Sequence, residues 1–390
     1  MSQDLSHHPL FVPWTEPRSG VVSFVLTPLG HPRRLAPTQQ QFYFCTPSVS
    51  PDEKWLWITC AFPPNPTKTL AVVSLDAANP VIRHFPAAAE VTAQSMVAPD
   101  SRGCYFGNRE TIYHVSLEGA ITPVFSLPPE FVAGRTVPRL ATHLTLSADK
   151  RHLLLDGQIG DHYFVATADL SKPHGDPSSF RLIKEFPHNH NHAQFHPSDP
   201  KLFVVAHDHT RFGGSGFYAH HNLRCVLLDT DDSRYDLLTA HRYNKHLVGP
   251  SHEWWSADGF LCYVDYQFGA FEISPEKLRE PARYPAADLA TNVWPGELCH
   301  AHCSRDRRFW VADESPYKWA EKPCQVLFRD RRSGKVTCLA NAMPQPNVNR
   351  SWYHIDPHPQ FSPQDGYIIY TTTVYEGNVD VALVPTHALA

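Results

Sequence analysis

The stretch EWWSADGFLCYVDY, residues 253–266, decides the fold. Ser256, Asp258 and Gly259 break two short runs of aromatic and aliphatic residues. Asp and Gly favour tight turns and such runs favour strands, so the segment reads as a β-hairpin. The same grammar recurs on both sides: SVSPDEKWLWITC at 48–60, MVAPDSRGCYFG at 96–107, LTLSADKRHLLLDG at 144–157, AQFHPSDPKLFVVAHD at 193–208, HCSRDRRFWVAD at 302–313 and PQFSPQDGYIIYTTT at 359–373. The anchoring aspartates are Asp52, Asp100, Asp149, Asp199, Asp258, Asp306 and Asp365, spaced by 48, 49, 50, 59, 48 and 59 residues.

A third strand follows each hairpin, as in LAVVSLD at 70–76 and CQVLFRD at 324–330, and often a fourth, as in RLIKEFP at 181–187. Four short strands per repeat of this length is the size of a propeller blade. The expectation is an all-β chain, a single seven-bladed β-propeller spanning 1–390. The seventh unit ends after VDVALVP at 379–385, while GVVSFVLTPLG at 20–30 precedes the first unit. An N-terminal strand is therefore expected to complete the last blade and close the ring, removing its open edges.

Composition excludes several classes. The net charge is −5 with no block of like charge, so nucleic acid is not expected as a partner. No apolar run is long enough for a membrane helix, and the N-terminus lacks a basic start followed by an apolar core. Nine cysteines, an odd number scattered through the strands, argue against a disulfide framework and for a reducing compartment; a cytoplasmic location is expected. Histidine is the anomaly, with 25 residues.

The repeats give those histidines a register. Six residues before the Asp lie His143, His252 and His300 in the third, fifth and sixth units. The fourth and seventh turns hold one extra residue, and allowing for it they give His192 and His358; the first two units give Thr46 and Gln94. Equivalent positions in a propeller share height and radius, so five imidazoles should converge on one end of the channel. A lone histidine there could simply satisfy strand-end backbone, but five in register point to a site, because imidazole is both a metal ligand and a general base near neutral pH. His354, Asp356 and His358 alternate along an extended segment and can face one way, a donor set suited to manganese, zinc or iron. Cys299 and Cys303 flank His300 and His302, but cysteines so close on one strand cannot all face one ion, and they read as small half-buried residues. The insertion HDHTRFGGSGFYAHH at 207–221 is polar and rich in His and Arg, as binding loops are.

From about residue 190 onward the chain resembles the oligogalacturonate lyases, seven-bladed polysaccharide lyases that cleave short pectin fragments. The segments that carry the likeness are His192–Pro197 with AHD at 206–208, NLRCVLLD at 222–229, SHEWWSADG at 251–259, HAHCSRDRRFWVAD at 300–313 and DPHPQFSP at 356–363. The resemblance implies that His252 is the catalytic Brønsted base, that Arg224 assists it, and that His300 and His358 are metal ligands. It departs in the seventh unit, where the family's Gln and His ligand positions are Tyr353 and Asp356 here, with His354 beside them. The implied metal set is His300, His354, Asp356 and His358, holding a divalent ion, manganese first, with zinc and calcium as alternatives. Substrate contacts are expected from His143, His192, His207 and Arg211.

The implied reaction is β-elimination on an acidic, uronate-containing oligosaccharide. The proton beside the carboxylate is too weakly acidic for an unaided histidine, so the developing charge needs a cation. Two other readings stay open on the sequence: another metal-dependent sugar-acid enzyme, hydrolase or isomerase, and a non-catalytic interaction platform, since one fold hosts many functions. The oligomeric state is not legible.

Overall fold

The computed structural model describes residues 4–207, 210–211, 218–219, 225–238, 251–314 and 324–389. Seven sheets follow one another along the chain as blades of a β-propeller, antiparallel except where Ala141–His143 pairs parallel with Ala93–Val97 in the second. In the fifth blade, Ser251–Trp255 is innermost, followed outward by Leu261–Asp265, Gly269–Ile273 and Thr291–Trp294. Helices among the described residues are single turns of four or five residues in the connections.

The Asp turns show why the repeat has its sequence. In the first, third, fifth and sixth blades a serine two residues before the Asp donates its hydroxyl to the carboxylate: Ser50 to Asp52 at 2.6 Å, Ser147 to Asp149 at 2.5 Å, Ser256 to Asp258 at 2.6 Å and Ser304 to Asp306 at 2.7 Å. The same hydroxyls accept from the backbone N–H that opens the next strand, at Trp55, His152, Phe260 and Phe309. The Asp in turn accepts an N–H two residues on, as at Lys54 and Arg308. These bonds satisfy turn donors that the hairpin ladder cannot use, which pins the strand register. The residue after the Asp is left-handed at Glu53, Ser101, Lys150, Gly259 and Arg307. Only Gly259 suits that backbone without strain.

The core lies between blades. Seven clusters of buried apolar residues occupy the seven blade-to-blade seams. Between the fifth and sixth blades, for example, Trp254 packs edge-on against Trp310 with centroids 5.7 Å apart. Buried carboxylates bridge seams too. Asp156 accepts the Thr142 N–H at 2.6 Å and, across the seam, the Ala193 N–H at 3.1 Å. Glu53 reaches from the first blade to accept from Gln364 and Gly366 of the seventh.

The ring closes as expected. The N-terminal strand Val22–Leu26 pairs with Asp380–Pro385, and Phe11–Thr15 adds a fifth strand outside it, which the sequence reading did not include. Arg34 forms an ion pair with the buried Asp380 at this closure, and Gln39 donates to the same carboxylate.

The first blade breaks its own rule. Its innermost strand is only Thr38–Gln40, and the chain then leaves the sheet until the isolated bridge of Val49 to Leu56. The intervening loop crosses the channel, so that Tyr43 and Phe44 join the core between the fifth and sixth blades. One side chain of the seventh blade holds it. The Gln360 amide nitrogen donates to the carbonyls of Tyr43 and Thr46, both at 3.2 Å, and its oxygen accepts the Ser48 N–H at 2.8 Å.

Candidate metal centre

In the third to seventh blades the innermost strand enters the channel at the register histidine. In the fourth and fifth blades two residues there oppose one on the neighbouring strand, a β-bulge, and His192 and His252 take positive φ of 54° and 51°. His358 has φ of 47°. A non-glycine residue in this region costs about 1–3 kcal/mol. The bulge re-aims the side chain from the blade into the channel, and other packing offsets that strain.

The rings gather around Tyr43. Its ring centre lies 5.8 Å from His143, 5.6 Å from His192, 6.3 Å from His252, 6.0 Å from His300, 5.9 Å from His354 and 4.8 Å from His358. All five register histidines therefore meet, as the repeat alignment requires. Burial holds His143 down to about 3, helped by the neighbouring His192. Burial, then His300, His354 and His252, holds His358 well below the ordinary histidine range. Both are neutral near pH 7 and offer lone pairs.

Two clusters of ligand atoms meet at His300. One is His300, Asp356 and His358, the other His252, Cys299 and His300; within each, the donor atoms lie within 4.8 Å of one another and all residues are buried. The His300 Nδ1 faces the Asp313 carboxylate at 3.0 Å. That bond fixes the tautomer and turns Nε2 toward the channel, the carboxylate–histidine arrangement common behind metal ligands. Asp313 also accepts the backbone N–H of His300 at 2.8 Å and of His358 at 3.1 Å, so one buried carboxylate sets two ligands on adjacent blades. The buried Nε2 of His358 has no hydrogen-bond partner among the described residues. A neutral imidazole nitrogen left over beside a carboxylate and a second oriented imidazole fits a divalent cation.

His252 sits beside this triad, its ring centre 4.0 Å from that of His300, which in turn lies 4.3 Å from His358. Its Nδ1 lies 2.5 Å from the Cys299 carbonyl. A carbonyl only accepts, so Nδ1 carries the proton and Nε2 keeps its lone pair, 3.3 Å from the Tyr266 hydroxyl.

The remaining expectations divide. His354 is near but largely exposed, its Nε2 3.7 Å from Asp356, and it lies outside both clusters. Tyr353 is buried and donates its hydroxyl to the Asn65 carbonyl at 2.9 Å, which occupies it away from the ligands. His192 Nδ1 lies 3.4 Å from the buried Glu253 carboxylate. His143 Nε2 lies 3.6 Å from Cys45 Sγ. His207 is elsewhere: it stacks on His190 at 4.6 Å and on His188 at 5.7 Å, outside the ring around Tyr43. Arg211 falls in the two-residue strand Thr210–Arg211, of which only the backbone is described. Arg224 lies outside the described residues.

Sequence reasoning missed Tyr43, Asp313 and Gln360, and it set Cys299 aside. The run FYFC at 42–45 was the available signal for Tyr43: aromatic residues just ahead of the first Asp turn, where five of the other six units carry histidine. The two clusters make different demands on chemistry. Nitrogen and oxygen donors suit manganese, whereas a thiolate favours zinc. If the N/O triad holds the ion, Asp356→Ala should lower metal affinity about 10- to 100-fold or more while Cys299→Ala leaves it near wild type. Metal content after dialysis against a graded chelator measures both.

No protein-family model matches the chain, and no curated protein matches it. Among solved structures, an oligogalacturonate lyase in complex with manganese superposes with a TM-score of 0.72 at 17% identity, covering 96% of each chain. The oligogalacturonate lyase of Vibrio parahaemolyticus gives 0.71 at 15% identity, again over 96% of each. The hydrazine synthase of Kuenenia stuttgartiensis gives 0.51 at 14% identity, over 85% of this chain and 90% of that one. Likeness at such identity shows a shared fold, and a shared fold does not name a reaction. The family suggested by the fourth to seventh repeats and the solved structures that superpose over nearly the whole chain thus agree on one scaffold, the propeller of the oligogalacturonate lyases.

Proposed function

We propose that this protein is a metal-dependent lyase that cleaves uronate-containing oligosaccharides by β-elimination. The observation that carries the proposal is an imidazole protonated on Nδ1, its Nε2 lone pair facing the Tyr266 hydroxyl, packed directly beside a buried N/O ligand triad. A manganese-bound lyase of the same scaffold, and the His-Glu-Trp-Trp run at His252–Trp255, support it.

In this reading His300, Asp356 and His358 hold the divalent ion, which supplies positive charge against the negative charge developing on the substrate carboxylate. Asp313 keeps His300 in the tautomer that leaves Nε2 for the ion. His252 Nε2 removes the C5 proton of the uronate, the C4–C5 double bond forms, and the glycosidic oxygen on C4 leaves as an alcohol after taking a proton from water. The Cys299 carbonyl fixes the His252 ring and gains strength as a partner once the imidazole becomes positive. Tyr43 and Phe44 close the channel floor and keep bulk water from the reacting carbon, which preserves the electrostatic gain. Arg224 takes its supporting role from the resemblance alone. Nine free cysteines, most of them buried, fit a reducing compartment, and we place the reaction in the cytoplasm. No helix among the described residues is long and apolar enough to cross a membrane.

The test is direct. Purified protein with manganese and trigalacturonate should develop the ultraviolet absorbance of a conjugated unsaturated uronate. Chelation should abolish the signal and manganese should restore it. Cleavage without that absorbance, or full turnover in metal-free protein, would overturn the proposal.

A further inference from the structure

In the chair of a galacturonate unit, C5–H and C4–O are axial on opposite faces. The imidazole that takes the C5 proton therefore cannot hand it to the departing oxygen, and an alkoxide without a proton is a poor leaving group. A second proton has to arrive from the other side of the sugar ring. His252, His300 and His358 form the arc of the channel wall given by the fifth to seventh blades, with ring centres 4.0 and 4.3 Å apart in that order. The third and fourth blades give the other arc, His143 and His192, with ring centres 5.7 Å apart. His143 is fully buried and held down to about 3, so it is neutral and a poor donor near pH 7. The Tyr266 hydroxyl lies against the base itself, 3.3 Å from His252 Nε2. His354 stands on the metal side, beside Asp356.

His192 remains, and its placement is fixed from three blades. Its positive φ is held from the third blade: its own N–H donates to Thr142 Oγ1 at 3.3 Å and the next, of Ala193, to the Asp156 carboxylate at 3.1 Å. Behind its ring stands Glu253 of the fifth blade, whose side chain is wholly buried and whose Oε1 lies 3.4 Å from His192 Nδ1. Glu253 is fixed across the same seam, where Gln194 Nε2 donates to its carbonyl at 2.7 Å and Trp255 Nε1 donates to the Gln194 carbonyl at 3.0 Å. With Nδ1 turned to the carboxylate, Nε2 is the atom left to face the channel. A carboxylate behind an imidazole fixes the ring and offsets the charge it carries when doubly protonated. We propose that His192, backed by Glu253, is the general acid of the elimination: it gives its Nε2 proton to the water that protonates the C4 oxygen. The electrons balance. The C5–H pair becomes the C4–C5 double bond, the C4–O pair leaves with the oxygen, His252 gains one proton and His192 loses one, and exchange with solvent resets both. The inference rests on the lyase reading.

Initial rates of the manganese-loaded protein on two substrates test it: trigalacturonate, and a galacturonate carrying 4-nitrophenoxide on C4, which departs without needing a proton. His192→Gln should lose about 100-fold or more on trigalacturonate, the scale of general-acid catalysis, and less than about tenfold on the nitrophenyl ether. His252→Ala should lose heavily on both, because both need the base. Glu253→Gln, which keeps the shape of the side chain, should show the same split as His192→Gln at smaller size, and serves if His192→Gln does not fold. Equal losses on the two substrates, or a rate for His192→Gln within about tenfold of wild type on trigalacturonate, overturn the assignment; unsaturated product from the wild type then leaves the lyase reading standing. If the wild type forms unsaturated product from neither substrate, the lyase reading fails and the assignment with it.

Discussion

His252→Ala protein should bind its metal as the wild type does and lose at least about a thousand-fold in turnover of trigalacturonate. General-base catalysis is worth roughly 10²–10⁴, and no other nitrogen of the ring is as well placed to substitute. His358 and His300 are committed to the ion in the proposed arrangement, and His192 faces Glu253 on the neighbouring blade. The alanine leaves a small cavity lined by Phe44, Tyr266 and His300, whose rings now flank His252 at 5.7, 5.3 and 4.0 Å. Metal content and circular dichroism should therefore stay close to wild type. The decisive reading is initial rate by ultraviolet absorbance with metal content measured on the same sample. A rate within tenfold of wild type removes His252 as the base. Loss of rate together with loss of metal instead assigns it to the ion, through the cluster with Cys299.

The second large effect is expected at a residue that touches neither substrate nor metal. Asp313→Ala deprives the His300 Nδ1–H and the backbone N–H groups of His300 and His358 of one shared acceptor. Each buried donor left unsatisfied costs about 1–3 kcal/mol, so the loss in stability should reach several kcal/mol and expose the seam between the sixth and seventh blades. Asp313→Asn keeps the size and one carbonyl acceptor. It should fold, yet bind manganese about 10- to 100-fold more weakly, because His300 loses the partner that orients its ring. Thermal unfolding with and without metal, alongside a metal titration, separates the two effects. Unchanged metal affinity in Asp313→Asn would show that Asp313 acts only as a seam clasp.

Much of this was legible because it repeats. The Ser-x-Asp turn is solved within one hairpin, so its residues recur wherever the turn does, and the count of seven followed. The histidine register followed too, since symmetry carries equivalent positions to one height around the channel. What escaped has no repeat. Tyr43 reaches the site because one innermost strand breaks off early, and Gln360 holds it there from a blade more than three hundred residues away in sequence. Asp313 reads as one more strand-end aspartate until its two backbone partners on different blades are seen. Asp156 occupies the corresponding place in the third blade and accepts there from the N–H groups of Thr142 and Ala193, whereas Asp313 of the sixth also takes an imidazole.

Ring closure has a consequence for how the protein comes into being. The Arg34 to Asp380 pair joins residues 346 positions apart, and the loop bearing Tyr43 is held from the seventh blade. During synthesis the early blades can collapse against their neighbours as they emerge, since each seam needs only two adjacent units. The histidine site cannot form in that piecemeal fashion. Its floor comes from the first blade and its anchor from the seventh, so the site is completed in the last act of folding, and a chain that lacks the seventh blade should not assemble it.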